Sequence, residues 1–416
     1  MSTIELIAAV IFAIALLHTF SVKFFERLAH RSPRNAGLFH LLGEIELVFG
    51  FWAFVLIAFM AAVEGGQKAI DYAESRQYTE PLFVFVIMVV AASRPVLETI
   101  RALIESVARL LPIRTAVARV WLCLAAVPLI GSLVTEPAAM TLAALMLAPL
   151  VFRGDVPEGL KYGALGVLFV NVSIGGTLTS FAAPPVLMVA ATWQWDSAYM
   201  ASHFGWKAAI AVVINATAVT ALLSRHLTEP AKPPTDGSGE RIPLVVTLIH
   251  LGALLMVVTF AHHPVIFLGV FMLFLGFTQA YARHQSPLIL KEALLVGFFL
   301  AGLVVLGGMQ RWWLQPIVSS LEPTALFFGA LGLTAITDNA ALTYLGSLIS
   351  GMSEQAKYML VSGAVAGGGL TVIANAPNPA GVTLLKHGFE DQSVGAGGLL
   401  LGAALPTAVA AVMFLL

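Results

Sequence analysis

The sequence predicts an all-α polytopic membrane protein made of two inverted repeats, each with three spans, a re-entrant hairpin, a broken helix and a final span. Three observations carry that prediction. The first is composition: 11% of residues are charged, 59% are hydrophobic and mean hydropathy is +0.90, where a soluble domain carries about a quarter charged residues. The second is a pattern that occurs twice. Thr135-Glu136-Pro137-Ala138-Ala139 precedes Gly175-Gly176-Thr177-Leu178-Thr179 and Ala182-Ala183-Pro184-Pro185. Thr337-Asp338-Asn339-Ala340-Ala341 precedes Gly367-Gly368-Gly369-Leu370-Thr371 and Ala374-Asn375-Ala376-Pro377-Asn378-Pro379. Each copy sets one carboxylate beside a Thr, then a Gly-rich break, then a Pro-rich break, within apolar sequence where charges and helix breakers are costly. The third observation is an uneven division of cations between the loops.

Composition also excludes functions. A net charge of -1 and the lack of any basic tail or stripe give no case for nucleic acid. The single Cys123 excludes an intramolecular disulfide and a cysteine-based metal site. The first apolar run has no basic n-region and no small-residue cleavage site, so Ile4–Phe20 reads as a span and not a signal peptide.

A span needs about 20 mainly apolar residues. That length places helices near 4–22, 38–63 and 81–93. Residues 96–111 are amphipathic, with Val96, Ile100, Ile104 and Val107 on one face and Glu98, Arg101, Glu105 and Arg109 between them, and are expected along the membrane interface. Segment 115–152 is too long for one span and too short for two. Its second arm, 138–152, has 15 residues, about 22 Å as helix against a core of ~30 Å, and the segment reads as a re-entrant hairpin turning at Thr135-Glu136-Pro137. Segment 160–193 reads as a helix broken at Gly175 to Pro185, and 206–225 as a plain span.

Residues 226–242 alone have linker composition. The order then repeats, with spans near 243–261, 264–282 and 288–308, an interfacial stretch at Trp312-Trp313, a hairpin at 323–351, a broken helix at 356–387 and a final span at 394–416. The expected domains are therefore a first repeat, 1–225, a linker, 226–242, and a second repeat, 243–416. Within them, 1–112 and 243–321 are scaffold, and 113–225 and 322–416 are the transport parts.

Five crossings per half make the second half start on the opposite face, inverted. In this topology one face holds only Lys68, Arg76, Lys207, Arg311 and Lys357; the linker side holds the rest of the chain's 22 Lys and Arg. Positive residues favour the cytoplasm. The linker is therefore expected inside, both termini outside, and the two hairpins are expected to enter from opposite faces and meet near the midplane. Paired interrupted segments in corresponding halves are the sequence mark of a transporter's binding site.

Hairpin tips and helix breaks free backbone carbonyls, which with Thr, Ser, Asn and a carboxylate form an oxygen environment for a hard cation. Thr135, Glu136, Thr179 and Ser180 offer it in the first half; Thr337, Asp338, Asn339, Thr371, Asn375 and Asn378 offer it in the second. Burial raises a carboxyl pKa and a bound cation lowers it, so one carboxylate suffices for a cation and a proton to compete. The plainer reading makes both acids N-caps of the second hairpin arms, and Pro137 suits a first helical turn. Capping and binding are compatible.

Glu44 and Glu46 lie in the second span two residues apart, a spacing that cannot share one α-helical face, and read first as structural or oligomer contacts. Asn171, Ser173 and Asn215 read as interhelical hydrogen-bonding groups. His262-His263-Pro264 reads as a turn, and Trp312-Trp313 as an interfacial belt. No phosphate loop, Ser-His-Asp order or zinc spacing occurs, so an enzyme is not expected.

The second hairpin, Thr337-Asp338-Asn339-Ala340-Ala341-Leu342, with Gly367 to Ile373 and Ala380-Gly381-Val382 downstream, resembles the second half of NhaD-type sodium/proton antiporters. The layout is similar to that of the ion transporter superfamily, above all its sodium/proton antiporter branch. The likeness is motif-specific at 131–189 and 334–385. It implies inverted repeats, a homodimer formed through the scaffold, and elevator-type alternating access. The chain departs from the pattern in having Glu136-Pro137 where an Asp-Asn pair is usual, and no Asn in the first break. The second half is then expected to do most of the binding.

These readings converge on a secondary transporter that exchanges Na⁺ and H⁺ at a midplane site. Na⁺ is expected at Asp338, Asn339, Asn375 and Asn378, with Asp338 the principal shared carboxylate and Glu136 the second. No cofactor is implied beyond the transported ion. The expected partners are the lipid bilayer, monovalent cations and protons, in the inner membrane of a bacterium. The rival reading is a Na⁺-coupled symporter of a small organic anion of dicarboxylate or citrate type. No Lys or Arg lies near either tip to pair with such an anion.

Overall fold

Helices make up 78% of the chain, and no strand occurs among the described residues, which are 2–32, 35–228 and 241–416 of this computed structural model. The all-α expectation is borne out. The first half contains α1 (Thr3–Arg31), α2 (Ala36–Leu42), α3 (Val48–Glu64), α4 (Gly66–Glu74), α5 (Thr79–Ala91), α6 (Arg94–Leu110), α7 (Thr115–Leu124), α8 (Ala126–Ile130), α9 (Glu136–Val151), α10 (Glu158–Gly175), α11 (Pro184–Trp193), α12 (Ser197–Met200) and α13 (Trp206–Leu223). The second contains α14 (Leu244–Thr259), α15 (Pro264–Ala280), α16 (Leu290–Gly307), α17 (Arg311–Ser319), α18 (Pro323–Thr334), α19 (Asn339–Ser347), α20 (Glu354–Gly367), α21 (Asn378–Leu385) and α22 (Ala396–Leu415). Of the expected linker, 229–240 lie outside the described residues.

Among the described residues, Glu158–Leu178, Ser197–Leu223, Leu290–Gly307 and Ala396–Leu415 are each long and apolar enough to cross a membrane. The spans expected near 4–22, 38–63, 243–261 and 264–282 are shorter apolar helices, whereas the one near 81–93, α5, is long and apolar enough only together with α6, from which it is bent by 62°. At 1.5 Å per residue the 16–17 residues of α14 and α15 reach about 24–26 Å, a little under the ~30 Å core. Their outward faces are apolar: Val265 is 85% exposed and Leu273 78%, as suits a lipid boundary.

Several boundaries differ from expectation for identifiable reasons. Helix α1 runs on to Arg31, because the sequence has no breaker before Pro33. The second span is interrupted: α2 ends at Leu42, Glu44 is non-helical, and Ile45–Leu47 form a 3₁₀ turn before α3. The α-helical spacing argument applied to Glu44 and Glu46 therefore does not hold. The first arm of the first hairpin is split at Ala125. Pro128 has no N–H for the carbonyl of Leu124, and the buried Asn171 supplies the replacement, its Nδ2 donating to Leu124 O at 2.8 Å. Lys161, counted among the cations of the linker side, is buried near the start of α10, donating to Glu158 Oε2 at 3.0 Å and to Gly388 O at 2.7 Å.

Packing is reciprocal between halves. Helix α5 lies against α14 and α15, and its counterpart α16 lies against α1 and α3. Beyond them, the second arm of each hairpin packs on the far segment of the other half's broken helix, α9 on α21 and α19 on α11. The two hairpin tips and two helix breaks are thereby brought to one place.

Candidate functional site

The tips and breaks are built alike in the two halves. A Cβ on Gly175 would lie 2.7 Å from Pro128 O, and one on Gly367 2.6 Å from Leu331 O. The Thr179 hydroxyl donates to Ser132 O at 2.7 Å, and that of Thr371 to Ala335 O at 2.9 Å. Thr135 caps α9 and Asp338 caps α19. In this register Thr135 corresponds to Asp338 and Glu136 to Asn339. The pairing of Glu136 with Asp338 suggested by the sequence is thus offset by one residue. Both second-position side chains pack on the same glycine of their break: a Cβ on Gly176 would lie 2.5 Å from Glu136 Oε1, and one on Gly368 3.0 Å from Asn339 Nδ2.

Glu136 is completely buried. Its Oε2 accepts from Nδ2 of Asn375, in the other half, at 2.8 Å, and its Oε1 has no hydrogen-bond partner. Asp338 uses Oδ1 to accept from the N–H groups of Ala340 and Ala341, at 2.8 and 3.1 Å. The same residue lines a small cavity, about 60 Å³, together with Thr337, Asn375, Thr19 of α1, Glu46 of the turn before α3 and Phe299 of α16. Asn375 thus touches both carboxylate environments. The backbone N–H of Asn339 donates to Ala374 O at 3.1 Å, tying tip to break. Asn378 Nδ2 donates to Gly368 O and Thr371 O at 2.8 and 2.9 Å, holding the break open.

Four buried oxygens in this cluster have no hydrogen-bond partner: Glu136 Oε1, Asn339 Oδ1, Asn375 Oδ1 and Asn378 Oδ1. Buried polar atoms are nearly always satisfied, and a hard cation takes oxygen donors of this kind. The remaining expected residues have other tasks. Thr135 Oγ1 accepts from Ala138 N at 3.3 Å as a cap, and Thr337 Oγ1 donates to Leu333 O at 3.0 Å. Thr179 and Thr371 brace break against hairpin. Ser180 faces Ser197, with its Oγ 3.2 Å from that hydroxyl, and is not brought to the carboxylates.

Two contributors escape sequence reasoning. Ser132 Oγ donates to Gly175 O at 2.6 Å and accepts from Leu178 N at 3.0 Å, and nothing in its local sequence marks it. Glu46 is visible as an acid inside an apolar run, but its place on the cavity that Asp338 lines goes with the break before α3. Asn215 donates to Asn171 Oδ1 and Pro406 O, the interhelical role expected of it.

No match was found among curated proteins. The family model described as "Putative Na+/H+ antiporter" matches residues 3–416, nearly the whole chain. The protein is a multi-pass membrane protein of that family, and so a transporter of cations and protons and not an enzyme: the chain belongs to the putative Na⁺/H⁺ antiporter family.

Proposed function

We propose that the protein exchanges Na⁺ for H⁺ at the junction of the two hairpin tips and two helix breaks, with Asp338 as the carboxylate over which cation and proton compete. The single observation that carries this reading is the cluster of unpartnered buried oxygens around Glu136, Asn339, Asn375 and Asn378, next to a cavity that Asp338 lines. Cation binding favours the ionised carboxylate and release favours protonation, which couples the two flows without further machinery. No Lys or Arg lines the Asp338 cavity, which speaks against recognition of an organic anion there. In this reading Glu136 is a second carboxylate, held by Asn375.

Alternating access then follows from relative movement of two parts, 113–225 with 322–416 against 1–112 with 243–321. The reciprocal packing of the halves supports an inverted pair; the uneven distribution of Lys and Arg supports residues 226–242 as cytoplasmic and both termini as outside, and the family resemblance supports a homodimer through the scaffold in a bacterial inner membrane.

The test is Asp338→Asn. Asn caps a helix as well as Asp does, so the variant keeps the cap and removes the titrating charge. In everted vesicles carrying a pH-reporting dye, addition of Na⁺ or Li⁺ is expected to give a response in the wild type and none in the variant, at equal expression and melting temperature. Retained exchange by Asp338→Asn removes the assignment.

A further inference from the structure

We propose that Glu46 is the scaffold's own ligand to the transported cation, so that the site is complete only when scaffold and transport part lie together. The inference rests on the exchange reading above. Glu46 sits in the 3₁₀ turn where the second span is interrupted, and it lines one cavity with Asp338 and Asn375. The depth is that of a membrane interior: the cavity also touches Val296 and Phe299 of α16, about 9–14 Å from the start of an 18-residue helix some 27 Å long.

Three features make this a site rather than a chance gathering of acids. Asn375 is 1% exposed, its Oδ1 has no partner, and its side chain lines the cavity. Asp338 satisfies its cap through Oδ1, which leaves Oδ2 for a ligand. Glu46 and Asp338 bring two carboxylates to one apolar cavity that no Lys or Arg lines. Intramembrane carboxylates ordinarily pair with a countercharge; for these two acids Lys291 acts on Glu46 alone, and the transported cation supplies the second positive charge. Glu44, just before that turn, is the neighbouring acid, and Lys291 of α16 is the basic group acting on Glu46 from the adjoining helix.

The consequence is a conformational lock. Thr19, Glu46 and Phe299 belong to the scaffold, and Asp338 and Asn375 to the transport part. Sliding one past the other removes one ligand group, so the cation binds tightly in one arrangement and loosely in the other.

The experiment is calorimetric titration of the purified full-length protein with NaCl, for wild type, Glu46→Gln, Glu44→Gln and Asp338→Asn, with vesicle exchange measured in parallel. Glu46→Gln is expected to raise the Na⁺ dissociation constant at least about tenfold, a loss of ~1.4 kcal/mol, and to raise half-saturating Na⁺ in vesicles while exchange persists at high Na⁺. Glu44→Gln is expected to change affinity much less. Unchanged affinity in Glu46→Gln overturns the inference. If that variant is not monodisperse, Glu46→Asp is read instead: a threefold or greater weakening supports the role, and unchanged affinity overturns it. Failure of Asp338→Asn to affect binding would instead defeat the underlying exchange reading, so the two failures are told apart.

Discussion

At the scale of single residues, the site depends on hydrogen bonds that cross between halves. Asn375 is the clearest case: its amide donates to a fully buried Glu136 and its own oxygen is left over. Asn375→Ala would strand a buried carboxylate, a loss of about 1–3 kcal/mol. The variant is expected to melt several degrees lower in detergent, and to bind Na⁺ more weakly by titration. A melting curve and an isotherm that both overlay those of wild type would show that the bond contributes nothing. The sequence marked Asn375 and Glu136 as candidates through their place among breakers. It gave no sign that they meet, because 239 residues separate them. Glu46 illustrates the same limit: an acid two residues from another is legible, its place on a cavity with Asp338 is not.

At the scale of elements, the two broken helices pass at contact distance, and small residues permit it. A Cβ on Gly369 would lie 2.5 Å from the backbone nitrogen of Val170, whereas one on Gly397 of α22 meets nothing within 4 Å. Gly369→Ala is therefore expected to destabilise by roughly 1–3 kcal/mol or more through overpacking. Gly397→Ala is expected to be neutral or to stabilise by up to about 1 kcal/mol, since Ala is the better helix former. Thermal melts of the two variants side by side decide it; equal melting temperatures would mean that the helices do not cross this closely. The existence of both breaks was readable from Gly and Pro. The one-residue offset between the tips was not, because Thr-acid looks alike in both copies until the caps show Thr135 in one role and Asp338 in the other.

At the scale of the whole molecule, the topology rests on the uneven distribution of Lys and Arg. Cys123 is buried, so a cysteine introduced in the linker is the one thiol that a membrane-impermeant maleimide should reach. Ser238→Cys is expected to be labelled in everted vesicles and protected in intact cells. The opposite pattern would turn the molecule over.

What the sequence determined by itself was class and layout: a membrane protein, all helical, with two acidic breaks in matching order. Those follow from composition and from breakers, which act locally and are costly in lipid wherever they fall. Only the tertiary structure decided which groups share the site. It joined Glu136 to Asn375, set Asp338 and Glu46 on one cavity, faced Ser180 to Ser197 and buried Lys161, because such placements are set by how distant helices pack. Spacing along one helix carries no record of its neighbour in another.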